Sequence, residues 1–220
     1  MTHLETPNLG RRTLLTGISA SAATLVLPTL ASAAQNKLLA TPRQTEGPFY
    51  PLEWTGDSDA DLVVVRGETA QALGQITHVS GQIMDRSAQP IGGAIVEIWQ
   101  CDANGVYRHP RDETATRHRD TGFQGRGRVI SDGSGRYSFR TIRPVAYAGR
   151  APHIHFKVVL PDRRVLVTQM YVFGEPQNQQ DGVLNSIRDR RQRESVIVPL
   201  LAADALEAGA LAGAFDIVVG

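Results

Sequence analysis

The chain is poor in cysteine. Cys101 is its only one, so no disulfide can form within the chain and no disulfide framework holds the fold. Charge of one sign is lacking as well. Without residues 1–33, which hold Arg11, Arg12 and Glu5, 21 basic and 21 acidic residues remain. That balance gives no electrostatic footprint for nucleic acid or for a membrane surface. Long unbroken apolar runs are missing too. The stretch after Arg12 is interrupted by Gly17, by several Ser and Thr, and by Pro28, which makes it too polar for a membrane-spanning helix. No repeat recurs at a solenoid period. What remains is a chain of 220 residues, 41% hydrophobic and 20% charged, enough for one medium globular domain with its own core.

The N-terminus reads as a targeting segment. Arg11-Arg12 precedes the weak apolar stretch, and Ala31-Ser32-Ala33 has the small-x-small form of a cleavage site. Residues 1–33 are expected to be a cleaved twin-arginine export signal, leaving a periplasmic or secreted protein with no membrane segment. Residues 34–44 follow as an unstructured, flexible lead-in, and 45–220 as the domain.

That domain is built of short strand signals with turns between them. They lie at 75–85, 93–101, 135–142, 153–160, 164–173, 195–200 and 215–220. Helix-like composition is confined to 183–194 and 199–213. From Asp102 to Ile130 the chain has little strand pattern and reads as one long, functional loop. The expected fold is all-β, a single β-sandwich with long loops and short helices. Cys101, ending an apolar strand, is expected to be a small buried hydrophobe.

One strand opens unusually. In "AYAGRAPHIHFKVVL" (146–160), His153 and His155 are two residues apart, so in a strand they project from the same face. Two imidazoles so placed can converge on one metal ion. A His and carboxylate site would need another carboxylate soon after His155, and the next is Asp162, beyond an apolar run. His78, His109 and His118 have no paired spacing; the last two lie in the long loop and read as substrate or surface residues. Tyrosines are better placed. Tyr147 precedes His153 by six residues, and Tyr107 ends the turn "CDANGVY". A phenolate is a hard anionic donor that suits ferric iron better than zinc. Tyr137 and Tyr171 read as core residues or as support for the site.

Several blocks together resemble the intradiol ring-cleavage dioxygenases. They are "TPRQTEGPFYP", "GAIVEIWQCDANGVYRHP", "GRVISDGSGRYSFRTIRP", "YAGRAPHIHFKV", "VTQMYVFGEP" and the terminal "FDIVV". The resemblance spans roughly residues 41–220, with protocatechuate-cleaving members most alike. It implies a non-haem Fe(III) held by Tyr107, Tyr147, His153 and His155. It also implies catalytic roles for Arg150, Tyr147 and Gln169, and a substrate pocket lined by Thr45, Gly47, Pro48 and Arg150. The substrate would be a catechol, with a protocatechuate-like compound favoured, and dioxygen the second reactant. Ala148-Gly149 departs from the family pattern, where an aromatic residue follows the tyrosine. Any ring carboxylate would look to Arg108, Arg111, Arg117 or Arg119 in the long loop. A second resemblance, to non-catalytic transthyretin-like and carboxypeptidase-regulatory sandwiches, covers the strand framework but requires none of Tyr107, Tyr147, Arg150, His153 or His155. A monomer and a homo-oligomer are both left open.

Overall fold

A computed structural model describes residues 37–112 and 118–220. The expected export signal lies outside them, as does Arg117. Among the described residues, no helix is long and apolar enough to cross a membrane.

Two five-stranded sheets face each other. The first is organised by the long strand β1 (Ile76–Asp85). It pairs antiparallel with β4 (Arg136–Ile142), from Ile76 opposite Ile142 to Gln82 opposite Arg136. Its other edge takes β9 (Leu211–Ala214) and, further along, β10 (Ile217–Val219), both parallel. The short strand β8 (Leu201–Ala202) extends the sheet beyond β9. The second sheet runs in the order β3 (Arg126–Ile130), β2 (Ile95–Trp99), β5 (His153–Val159), β6 (Val165–Val172) and β7 (Ile197–Val198).

Alternation assigns the faces. Ile154, Phe156 and Val158 of β5 turn inward and are fully buried. Phe156 meets Phe215 at 5.1 Å and Tyr137 at 6.0 Å between ring centroids, which joins the two sheets. Burying one such aromatic side chain contributes about 1.5–3 kcal/mol. The alternate residues, His153, His155 and Lys157, turn to the outer face. That face is not left to water: a second apolar cluster of Trp99, Cys101, Tyr107, Tyr147 and Val167 sits on it, flanked by Phe49 and Tyr50. Both faces of β5 are therefore covered, and His153 and His155 are buried although they are polar.

Three sequence expectations need correction. The long loop does not reach Ile130, because Arg126–Ile130 forms β3 and pairs with β2. Its Arg and Gly content hides the strand. Arg128 is drawn to the buried Glu97, its cross-strand partner, through a bond of 2.9 Å. Gly127 is required because a Cβ there would lie 2.6 Å from the Asp59 carbonyl oxygen. Residues 199–213 are not helical but form β8, a turn and the start of β9. The Asp204 carboxylate accepts a bond from the Gly209 amide at 2.9 Å, and Gly209 has φ +72°, so the turn is locally encoded. Residues 183–194 give two short helices rather than one, α1 (Gly182–Asn185) and α2 (Arg190–Ser195), capped by Asp181 and Asp189.

The segment expected to be a lead-in is tied down in its described part. The amide of Leu38 donates to the Arg86 carbonyl, that of Thr41 to Val218, and that of Gln44 to Val167. These bonds run the chain along the sheet edges and deliver residues 45–54 onto the outer face of the second sheet.

Candidate metal centre

β5 is the innermost strand of the site. Its register sets His153 opposite Tyr171 and His155 opposite Gln169 on β6, with Trp99 of β2 on the other side of His155. The two imidazole Nε2 atoms lie 3.1 Å apart. A metal–imidazole bond of about 2.1 Å would hold two nitrogens at right angles about 3.0 Å apart, so one ion can be shared. The Nδ1 of His153 donates to the Ala151 carbonyl at 2.6 Å, which leaves Nε2 as the acceptor. Burial first, then Arg150, pulls His153 down to about 4. Burial, then His153 and Arg150, takes His155 well below the usual histidine range. Both rings are therefore neutral near pH 7, the form that binds a cation.

Among the described residues, no group of three or more His, Cys, Asp or Glu side chains is placed to hold a metal. The tyrosines complete the donor set. The Tyr107 and Tyr147 rings meet edge to face at 5.0 Å, Tyr107 lies 6.1 Å from His155, and Tyr147 lies 5.6 Å from His153. The Tyr107 hydroxyl is buried without a hydrogen-bond partner among the described residues. Burial raises both phenols above their ordinary value. An orphaned phenol beside two imidazole lone pairs makes an unfavourable interior unless a cation joins them. The residues present fit a metal.

The surroundings hold these donors in place. Phe49 stacks on Tyr107 at 4.7 Å, and Trp99 stacks on His155 at 4.7 Å and 9°. Gly47 has φ +71°, and a Cβ there would come within 3.4 Å of the His155 ring. The amide of Tyr107 donates to Asp112 at 2.6 Å, and Asp102 accepts from Asn104, Val106 and Asp120, so the loop bearing Tyr107 is pinned. His109 is buried rather than a surface residue, accepting from the Arg111 amide and lying edge-on to Phe49. Cys101 is buried as expected, with its thiol pushed up to about 12 by burial and then by Asp102, and so is unreactive.

Arg150 stands beside the donors in a fixed orientation. Its Nε donates to Asp181 at 2.8 Å, and its Nη2 donates to Gln169 at 2.7 Å and to the Tyr171 hydroxyl at 3.1 Å. The Nε2 of Gln169 in turn donates to the Thr45 carbonyl at 3.0 Å. Asp181 is fully buried and also accepts from the amides of Ala151, Val183 and Leu184. Burial alone would raise its carboxyl, but Arg150 and the amides of Leu184 and Ala151 hold it below the ordinary value.

The structure thus gathers Tyr107, Tyr147, His153, His155, Arg150 and Gln169 on one outer face. Thr45 reaches that group through its backbone carbonyl, Gly47 approaches His155, and Pro48 extends the same segment. Sequence reasoning missed Trp99, Phe49, Asp112 and Asp181. Trp99 could have been found by its strand parity, two residues before Cys101. The signal for Asp181 was its position immediately before a glycine and an apolar turn, as an N-cap.

The fold is a β-sandwich that carries a cluster of imidazole and phenol side chains on one outer face. A family model described as dioxygenase matches residues 45–220. The chain is 35% identical over 192 residues to the protocatechuate 3,4-dioxygenase beta chain of Burkholderia cepacia, covering 80% of this chain and 78% of that one. It is 31% identical over 150 residues to hydroxyquinol 1,2-dioxygenase of Corynebacterium glutamicum, covering 60% of this chain and 46% of the relative, so there it spans about half the relative's length. Among solved structures, the dioxygenase domain of a dioxygenase carbohydrate-binding protein fusion from Streptomyces sp. SirexAA-E superposes with a TM-score of 0.63 at 30% identity. That match covers 82% of this chain and 97% of the domain. The chain belongs to the intradiol ring-cleavage dioxygenases. The non-catalytic sandwich reading is set aside by this match.

Proposed function

We propose that the protein is a non-haem Fe(III) dioxygenase that cleaves a catechol ring between its two hydroxyl-bearing carbons, giving a muconate-type dicarboxylate. The observation that carries this is the convergence of His153 and His155, Nε2 to Nε2 at 3.1 Å, beside two buried tyrosines rather than a carboxylate. Bound there by Tyr107, Tyr147, His153 and His155, ferric iron would supply a Lewis acid that activates a catecholate toward dioxygen.

The chain's own residues divide the remaining work. His153 and His155 stay neutral, and the Ala151 carbonyl fixes the His153 proton on Nδ1 so that its Nε2 lone pair is free. Tyr107 and Tyr147 differ in access: Tyr107 is sealed under Phe49, whereas Tyr147 borders a solvent-open cavity with Arg150. With iron bound, Tyr147 would therefore be the tyrosine able to accept a proton from the catechol at its hydroxyl oxygen, and Tyr107 the one that stays in place. Arg150 is a preorganised cation for negative charge that develops on the substrate oxygen as the ring opens. Gln169 holds Arg150 and is itself held by Thr45. Thr45, Gly47 and Pro48 close the site on the side of His155.

Product analysis tests the reading. Incubation of the iron-loaded protein with catechol and labelled dioxygen should give a muconate carrying both oxygen atoms. A yellow semialdehyde, the product of cleavage beside the hydroxyls, would refute it. Protocatechuate, the substrate named for the Burkholderia relative, belongs in the first panel.

We also propose export by the twin-arginine route, on the strength of Arg11-Arg12 ahead of a weak apolar stretch. Replacing both arginines with lysine should leave the precursor in the cytoplasm, as read by fractionation. Unchanged processing would mean another route.

A further inference from the structure

A cavity of about 300 Å³ opens beside Tyr147 and Arg150, and Ala148, Gly149, Gln177 and Gln180 form the rest of the wall that matters here. This volume is at the lower end for a small-molecule site. Because Tyr147 and Arg150 belong to the candidate centre, the cavity adjoins the place where a catechol would bind.

Space is the first property. A Cβ placed on Gly149 would meet nothing within 4 Å, and Ala148 is the only side chain between it and Tyr147. The turn therefore leaves room where a larger side chain would fill it. Charge is the second. Among the described residues Arg150 is the only cation on the wall, and its Nε is bonded at 2.8 Å to Asp181, a carboxylate with no exposed surface. The pair sums to zero. Neither Arg108, Arg111 nor Arg119, the described arginines of the long loop, lines the cavity. Hydrogen bonding is the third. The side-chain amides of Gln177 and Gln180 each offer a donor and an acceptor without net charge.

We propose that this cavity is a ring-substituent subsite that selects catechols bearing an uncharged, hydrogen-bonding substituent over catechols bearing a carboxylate. The inference rests on the catechol reading above and deepens it. A carboxylate held against this wall would give up part of its water and meet, besides the neutral amide donors of Gln177 and Gln180, only a cation already paired with a buried anion. An ester, amide or hydroxyl-bearing chain would form the same amide hydrogen bonds while giving up less hydration than a charged group does. Asp181 is on this view a specificity-determining charge, acting through Arg150.

The test compares protocatechuate with its methyl ester, which has the same ring and nearly the same shape but no charge. The wild-type, iron-loaded enzyme should favour the ester in kcat/KM by about ten-fold, the scale of one poorly compensated polar group. Gln180→Lys adds a cation to an exposed position of the wall and should move the acid-to-ester ratio several-fold toward the acid. Asp181→Asn should move it the same way by freeing Arg150. Because that variant removes a helix cap, Gln180→Lys carries the test where Asp181→Asn fails to fold. A wild-type preference for the acid would overturn the proposal, as would an unchanged ratio in Gln180→Lys. Turnover of no catechol at all would overturn the catechol reading and this one together, whereas turnover with the acid preferred would overturn this one alone.

Discussion

His155→Ala should yield a folded protein that no longer retains metal. The Nε2 of His155 is one of two imidazole nitrogens that face each other, and its ring is stacked on Trp99 with almost no exposed surface. No neighbouring side chain can take its place, since no further His or carboxylate is grouped with it among the described residues. Removing a partner that only orients a metal ligand typically costs 10- to 100-fold in metal affinity. Removing the ligand itself should exceed about 100-fold. The check is iron per chain after dialysis, together with visible absorption from phenolate-to-iron charge transfer. Thermal unfolding of the metal-free proteins separates this from misfolding, because the void beside Trp99 should cost only about 1–3 kcal/mol. Tyr147→Phe supplies the contrast. Three donors remain, so iron should stay, while substrate binding weakens because the displaceable base is gone. Full iron content in His155→Ala would remove that residue from the donor set.

The contrast between these residues also shows what was legible in the sequence and what was not. His153 and His155 could be read from strand parity alone, because a two-residue spacing fixes a shared face whatever the rest of the fold does. Tyr107 and Tyr147 were legible as candidate phenolate donors, but neither they nor Arg150 and Gln169 could be placed beside the histidines by parity. They come from a pinned loop, a tight turn and a neighbouring strand, and their meeting depends on the register that sets His155 opposite Gln169. Only the resemblance to a known family brought them together before the structure did.

The inner faces of the sheets were legible for the same reason as the histidines: alternation in 75–85 and 135–142 survives because the outer face of that sheet is polar. It failed at β3, where Arg126 donates to the Thr55 carbonyl and Arg128 bonds Glu97 and lies over the Trp54 ring. It failed again at 199–213, where leucine and alanine suggest a helix locally. There a turn held by Asp204 and Gly209 and pairing with β1 decide the outcome. Asp181 was missed because nothing local shows that a capping aspartate 31 residues after Arg150 will reach its guanidinium.

That reach makes the second large effect testable. Arg150→Ala should keep iron and colour but lose about a hundred- to a thousand-fold in turnover, the usual cost of removing one preorganised electrostatic group. The geometry argues for an effect on rate. Asp181, Gln169 and Tyr171 hold the guanidinium in place before any substrate arrives, so little reorganisation is left for the moment when charge develops. Arg150→Lys should not restore the rate, because an ammonium cannot serve Asp181 on one edge and Gln169 on the other. A stability effect is expected alongside, since Asp181 would lose its counter-charge while remaining buried, a change that costs roughly 3–5 kcal/mol where no other partner remains. Here the amides of Ala151, Val183 and Leu184 remain, so the loss should be smaller. The two effects separate in the double variant. Adding Asp181→Asn to Arg150→Ala should recover part of the thermal stability, because the buried charge is gone. It should recover none of the turnover, because the cation is still missing. Single-turnover kinetics and thermal unfolding of the four proteins in this cycle provide the measurement. Turnover restored along with stability would show that Arg150 acts by holding the fold rather than on the substrate.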